Sequence, residues 1–246
     1  MLPRFYVPDL DPAAPKTPLP ADEALHLTRV LRLGEGSRIA IFDGRGHEFA
    51  ARVAAASRDR VQVDLLEAIV PVPEPRVPLT LVPALLKGDK MDGVVRDATM
   101  MGVAAIDPIV TMHSIGRARD ERVRATERWR RVAVSSAKQC RRATVPAISP
   151  SRPYVDWLST GRAGLRLILV EPSASAGTES SLRVLENHAP EALSLLVGPE
   201  GGWTSEERRQ GEAAGCIPVT LGALTLRADA IAVVAMAIVR FALRDL

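Results

Sequence analysis

The stretch LSLLVGPEGG, residues 193–202, decides the fold. Leu193 to Val197 is a short apolar run of the kind buried on both faces of a parallel sheet. It breaks at Gly198. Gly198, Gly201 and Gly202 let the backbone turn tightly and approach a ligand, with Pro199 and Glu200 between them. A plain strand-to-helix turn needs fewer glycines. Thr204 or Ser205 then caps a helix that Gly215 stops. The spacing is neither the dinucleotide GxGxxG nor the phosphate-loop GxxxxGK(S/T), and no Lys follows to hold an ATP phosphate. A neutral or cationic cofactor, gripped by backbone amides and carbonyls, fits this loop better.

Outward from this stretch, strands and helices alternate. Leu79 to Val82, Ile106 to Val110, Leu165 to Val170 and Ile217 to Leu221 read as further strands. Asp89 caps a helix with Val94, Val95 and Ala98 inward, ended by Gly102. Glu121 to Gln139 is a basic helix, and Asp229 caps a last, apolar one. The alternation predicts an α/β domain with a mainly parallel sheet. Ligands of such sheets bind outside the carboxyl ends of the strands. Three ends carry unusual residues: Val170-Glu171-Pro172-Ser173, Val197 to Gly202, and Leu221-Gly222-Ala223-Leu224 running to Leu226-Arg227. Two readings of Arg227 and Asp229 stand side by side. One is a helix cap with its ion-pair partner, the other a pair of site residues.

Upstream, Pro71, Pro73, Pro75 and Pro78 make Val70 to Leu79 a stiff linker. Before it, short strands dominate. Arg38 to Phe42, the turn Asp43-Gly44-Arg45-Gly46 and His47 to Val53 form a hairpin, and Arg60 to Leu65 alternates. Asp22 caps a short helix on which His26, Arg29 and Arg32 share one face, while Leu25, Val30 and Leu31 pack the other. A small β-rich domain, a barrel, fits this pattern.

The charge sits unevenly. The chain of 246 residues carries +3, but residues 1–76 hold 10 basic and 11 acidic residues, net −1, and the remainder is net +4. Residues 117–142 alone hold ten basic residues against three acids. A surplus of one sign in one segment points to an anionic partner such as nucleic acid, with a solvated helix face as the plain alternative. Two cysteines, Cys140 and Cys216, argue against a disulfide scaffold. Four histidines (His26, His47, His113, His188) show no metal-ligand spacing. The longest apolar run, Ala230 to Val239, is far short of the roughly 20 residues that span a bilayer. The opening Met1-Leu2-Pro3-Arg4 lacks a signal-peptide stretch, so a cytoplasmic protein is expected.

Two motifs, Gly198-Pro-Glu-Gly-Gly and Leu221-Gly-Ala-Leu-Thr-Leu-Arg227-Ala-Asp229-Ala, resemble the SPOUT class of trefoil-knotted RNA methyltransferases. More narrowly, the chain is similar to bacterial 16S ribosomal RNA (uracil-N3) methyltransferases. The likeness extends over Pro3 to Val7, His26 to Arg32, Leu86 to Met91, Ala98 to Val103 and Ala137 to Arg142 before Val145-Pro146. It implies a PUA-like β-barrel at residues 1–70 for RNA and a knotted domain at 77–246 that binds S-adenosyl-L-methionine. It also implies a homodimer sharing its active sites, with 16S rRNA or the 30S subunit as partner and no metal or membrane.

Carried onto this sequence, the cofactor would lie against Val170, Glu171, Leu196, Val197, Gly198, Pro199, Glu200, Gly201, Leu221, Gly222 and Leu226. Arg227 would stabilise charge on the uracil oxygens, and Asp229 would orient it, cap the helix or accept the proton. RNA contacts would come from Arg4, His26, Arg29, Arg32, Lys87, Lys90, Arg141 and Arg142. The chain departs from the family's pattern at Met100-Met101, at Cys140-Arg141 and at Ala228-Asp229-Ala230, where Asp stands for Glu. A ribose 2′-O-methyltransferase and a non-enzymatic ribosome-assembly factor are the competing readings.

Overall fold

The computed structural model describes residues 2–57, 59–114, 119–161, 163–172, 185 and 190–245, Arg119 in its backbone only. Arg117, Ser173 and His188 lie outside them. The chain forms two compact units, Met1–Glu74 with Val134–Val145, and Pro75–Ala133 with Pro146–Leu246. The boundary falls inside the proline-rich stretch. Division by chain order alone places residues 134–145 in the second half, whereas they pack with the first unit.

The first unit is built on β1 (Arg4–Tyr6), β2 (Lys16–Pro18), β3 (Arg38–Phe42), β4 (Glu48–Ala56) and β5 (Val61–Ile69). They form one sheet in the order β1-β3-β4-β5-β2. The β3–β4 hairpin is antiparallel, as its turn residues predict, and β1 runs parallel to β3. Alternation puts Ile39, Ile41, Val53, Val61 and Val63 on one buried face with Phe5 and Leu27.

Helix α1 (Ala21–Leu25) runs into a π-helical turn, His26–Val30. Pro20, not Asp22, holds the cap position, and Asp22 sits in the first turn without a capping bond. The π turn advances each side chain less per residue than an α-helix, so 3.6-residue spacing fails here. Ala24 and Leu27 are buried, while Leu25, Val30 and Leu31 are 37%, 65% and 41% exposed. The expected packing of those three is therefore corrected: they face outward beside Arg29 and Arg32.

The second unit contains β6 (Leu79–Pro83), α2 (Lys90–Met100), β7 (Ala105–Ile106), β8 (Ile109–Val110) and α3 (Arg119–Cys140), whose final residues belong to the first unit. It continues with β9 (Ala147–Ile148), β10 (Arg152–Pro153), α4 (Tyr154–Leu158), β11 (Leu165–Leu169), β12 (Leu193–Val197), α5 (Ser205–Ala213), β13 (Ile217–Val219) and α6 (Ala228–Ala242). Six strands form a sheet in the order β13-β11-β12-β6-β7-β9, and every pairing is parallel. This is the predicted parallel sheet. One expected strand splits: Ile106 to Val110 breaks at Asp107-Pro108, so β7 joins the large sheet and β8 pairs with β10. Buried Asp107 anchors the break, accepting hydrogen bonds from Ser149 Oγ at 2.7 Å and Trp157 Nε1 at 3.0 Å.

Helix α6 buries Ala232, Ala235, Met236 and Val239. Val234, Ile238 and Phe241, spaced along one stripe, stay exposed. Arg240 is 1% exposed and bonds the carbonyls of Val77 and Gly102. Among the described residues no helix is long and apolar enough to cross a membrane.

Candidate functional site

A cavity of about 280 Å³ opens where β11 and β12 end. Three segments wall it: Leu169–Pro172, Val197–Trp203 without Gly201, and Leu221–Asp229 without Gly222 and Ala223, with Lys90 and Ile231 at its side. These are the three strand ends that the sequence marked. Of the expected cofactor residues, Val170, Glu171, Val197, Gly198, Pro199, Glu200, Leu221 and Leu226 line it, as do Arg227 and Asp229. Leu196 is buried within β12, outside the lining, and Gly201 turns toward His113.

Trp203 shapes the loop, and the sequence reading missed it. Its indole Nε1 donates to the Leu169 carbonyl at 2.8 Å and so staples the loop to the neighbouring strand. A Cβ on Gly198 would come within 2.9 Å of that nitrogen, so the indole fits only against glycine. Tyr154 packs against Trp203, ring centroids 5.1 Å apart. Tryptophan beside a glycine-rich loop was the available signal.

The helix after the loop is capped by Thr204, one of the two expected caps, and the cap is a capping box. Thr204 Oγ1 accepts from the Glu207 amide at 3.1 Å, and the Glu207 carboxylate accepts from the Thr204 amide at 2.9 Å. The other Glu207 oxygen accepts from the Met112 amide at 2.8 Å, and His113 Nδ1 lies 3.1 Å from the Gly202 carbonyl. The segment after β8 thus braces the loop.

Charges alternate around the mouth. Glu200 accepts from Lys90 Nζ at 2.7 Å and from the Lys87 amide at 3.3 Å. Burial pushes the Glu200 carboxyl up, but the Lys90 and Lys87 hydrogen bonds outweigh it and hold it below the usual range. Asp229 accepts from Arg227 Nε and Nη2 at 3.1 and 3.3 Å. That hydrogen bond keeps the Asp229 carboxyl low and the Arg227 guanidinium fully protonated. Arg227, not Asp229, occupies the cap position of α6, which corrects the expected cap. The ion pair that accompanied that reading is present.

The expected RNA residues divide. Arg29, Arg32, Lys87 and Arg141 are exposed and His26 half-buried, its ring edge-on to Phe5. Lys90 is tied to Glu200 in the cavity wall. Arg4 and Arg142 turn inward and leave the set of exposed donors. Arg4 forks onto Glu48 at 2.9 and 3.0 Å and caps the carbonyls of Ala137 and Arg142. Arg142 forks onto Glu74 at 3.1 and 2.5 Å.

Residues 73–240 match the RNA methyltransferase domain family, and residues 19–66 match the RNA methyltransferase PUA domain. The chain is 31% identical over 240 residues to ribosomal RNA small subunit methyltransferase E of Mycobacterium bovis, covering 94% of this chain and 88% of that one. The same-named protein of Neisseria gonorrhoeae, crystallised with S-adenosyl methionine, is 29% identical and superposes with a TM-score of 0.88 over 98% of each chain. A probable rRNA methyltransferase of Porphyromonas gingivalis, also 29% identical, superposes at 0.84 over 99% of each. Family match, full-length likeness and a cavity at the marked strand ends agree: the chain belongs to the RNA methyltransferase family that contains ribosomal RNA small subunit methyltransferase E.

Proposed function

We propose that this protein transfers a methyl group from S-adenosylmethionine to N3 of a specific uridine in 16S ribosomal RNA. It is an S-adenosylmethionine-dependent rRNA methyltransferase. One observation carries the reading: the cavity at the carboxyl ends of a wholly parallel sheet is walled by the strand ends that resemble the family's cofactor motifs.

The residues suit that cofactor. Leu169, Val170, Val197, Leu226 and Ile231 offer an apolar surface for an adenine ring, and Glu171, Glu200 and Asp229 offer carboxylates to a molecule cationic at sulfur and at its amino group. A Cβ on Gly202 would sit 3.0 Å from Glu171 Oε1, so glycine keeps that carboxylate clear. When bound, S-adenosylmethionine supplies an already activated methyl group, which leaves alignment and charge control to the protein.

Uracil N3 lies on the pairing edge, so the base must leave its pair to reach the cavity. As N3 gives its proton to solvent water and takes the methyl group, the negative charge that develops on the flanking oxygens meets the Arg227 guanidinium, 74% exposed at the rim. Asp229 fixes one edge of that guanidinium and leaves the other edge to the base. A carboxylate held low by Arg227 is a poor proton acceptor, so Asp229 is the positioning residue.

Residues 1–70 serve as a PUA-like RNA-binding barrel and residues 77–246 as a trefoil-knotted catalytic domain, acting on ribosomal RNA in the cytoplasm. The protein works as a homodimer, for which the exposed stripe Val234, Ile238 and Phe241 on α6 is a fitting surface. Incubation with methyl-labelled S-adenosylmethionine and either naked 16S RNA or 30S particles tests the reading. Label in either RNA supports it, and label in neither overturns it.

A further inference from the structure

The turn between β3 and β4, Asp43-Gly44-Arg45-Gly46-His47, is built more elaborately than hairpin closure requires. Asp43 is 2% exposed, yet its carboxylate accepts four hydrogen bonds. Oδ1 accepts from the amides of Arg45 at 2.7 Å and His47 at 3.1 Å. Oδ2 accepts from Arg45 Nε at 3.1 Å and lies 2.7 Å from His47 Nδ1. The amide bonds close the turn. The side-chain bonds aim Arg45 and His47.

Both side chains stay 61% exposed despite that anchor. An ionised carboxylate only accepts, so Nδ1 of His47 carries a proton, and Nε2, which faces away from Asp43, donates only when the ring is an imidazolium. Arg45 meets Asp43 through Nε, which directs its two terminal amino groups outward. Both side chains bond the same carboxylate oxygen, Oδ2.

The frame beneath is rigid. Gly44 and Gly46 have φ of 75° and 107°, a region that favours glycine. A Cβ on Gly44 would stand 2.8 Å from the Tyr6 ring, so that ring lies directly against the turn. The Val145 amide donates to the Gly44 carbonyl at 2.9 Å, and the Gly46 amide to the Ala143 carbonyl at 3.2 Å. Burial pushes the Tyr6 hydroxyl up, against the influence of nearby Arg45, and keeps it a donor. Asp43 offsets one positive charge, so the turn acts by geometry rather than by bulk charge, as suits a segment of net −1.

We propose that this turn is an RNA-backbone contact of the N-terminal unit, in which Arg45 and, as an imidazolium, His47 donate to one phosphodiester group and Asp43 positions both. The proposal rests on the rRNA methyltransferase reading and adds a site outside the cofactor cavity. The outward amino groups of Arg45, joined by Nε2 of an imidazolium His47, match the oxygens of a phosphate.

The test is filter binding of labelled 16S RNA by wild type, Arg45→Ala, His47→Ala and Asp43→Asn across a potassium chloride series. Asp43→Asn keeps an acceptor for the turn amides but weakens the hold on both side chains. Arg45→Ala is expected to lower affinity several-fold and to flatten the slope of log affinity against log salt by about one contact. Asp43→Asn is expected to lose affinity with Arg45 and His47 still in place. S-adenosylmethionine affinity and melting temperature should match wild type in Arg45→Ala and His47→Ala. Wild-type RNA affinity and slope in those two variants would overturn the proposal. So would a loss of affinity in Arg45→Ala with the slope unchanged, or a loss in either variant accompanied by a lower melting temperature, since either marks a structural role. If wild type itself fails to bind 16S RNA, the functional reading fails instead.

Discussion

Asp229 takes both Nε and Nη2 of Arg227, at 3.1 and 3.3 Å, across the first turn of α6. The pair lies on the cavity rim, where a side-on grip leaves half of the guanidinium for a ligand. Arg227→Ala is therefore expected to lower kcat/KM by about two to three orders of magnitude, the range for losing one donor to a developing oxyanion. Calorimetry on the same variant should return S-adenosylmethionine affinity close to wild type.

Asp229→Asn separates orientation from proton transfer. The carboxyl titrates below its usual range, so it stays ionised across neutral pH and contributes no limb to the rate profile above about pH 5. The variant should turn over more slowly with an unchanged profile shape. A limb present in wild type near neutrality and missing in Asp229→Asn would make Asp229 the base.

Gly198→Ala tests the indole staple. The added methyl would sit 2.9 Å from Trp203 Nε1 and force the ring off the Leu169 carbonyl. Losing a hydrogen bond from a part-buried donor and acceptor costs about 1–3 kcal/mol. Thermal melts should show that loss, and calorimetry a cofactor affinity lower by tenfold or more. Trp203→Phe keeps the ring without the donor and should fall between this variant and wild type.

Glu200→Gln releases Lys90 and the Lys87 amide from a charged acceptor. Both side chains are about one-third exposed, so the stability change should stay under about 1 kcal/mol. Cofactor affinity, which depends on the loop's shape, should fall several-fold at neutral pH. A lowered folded-state pKa gives a contribution that is present above the ordinary carboxyl value, near 4.5, and is lost as pH falls through the depressed value. Stability measured against pH should show that acid decline in wild type and a shallower one in Glu200→Gln.

Arg4→Ala addresses a residue first read as an RNA contact. It would strand Glu48, whose side chain is 7% exposed, and remove donors from three carbonyls. Breaking a buried pair from one side costs about 3–5 kcal/mol. Urea denaturation should show that loss, whereas Arg4→Met with Glu48→Leu should recover much of it.

The parallel sheet was legible because Leu193–Val197 and Leu79–Pro83 are short apolar runs bounded by turn residues, and the site was legible because its glycines and Arg227 sit at strand ends. Other features depend on tertiary context. Strands β1 and β2 have three residues each, too few to show alternation. The π turn at His26–Val30 breaks the helical spacing that made Leu25, Val30 and Leu31 look inward. Arg4 and Arg142 read as exposed cations because nothing local reveals Glu48 and Glu74, 44 and 68 residues away. Trp203 escaped notice because its partner Leu169 lies 34 residues back on another strand.

The most direct measurement is mass-spectrometric mapping of 16S RNA after reaction with S-adenosylmethionine and the purified protein. One new methyl group is expected, on N3 of a single uridine, and formed far more slowly by Arg227→Ala. A methyl group on a ribose 2′-oxygen, or no methyl group on either naked RNA or 30S particles, would contradict that expectation.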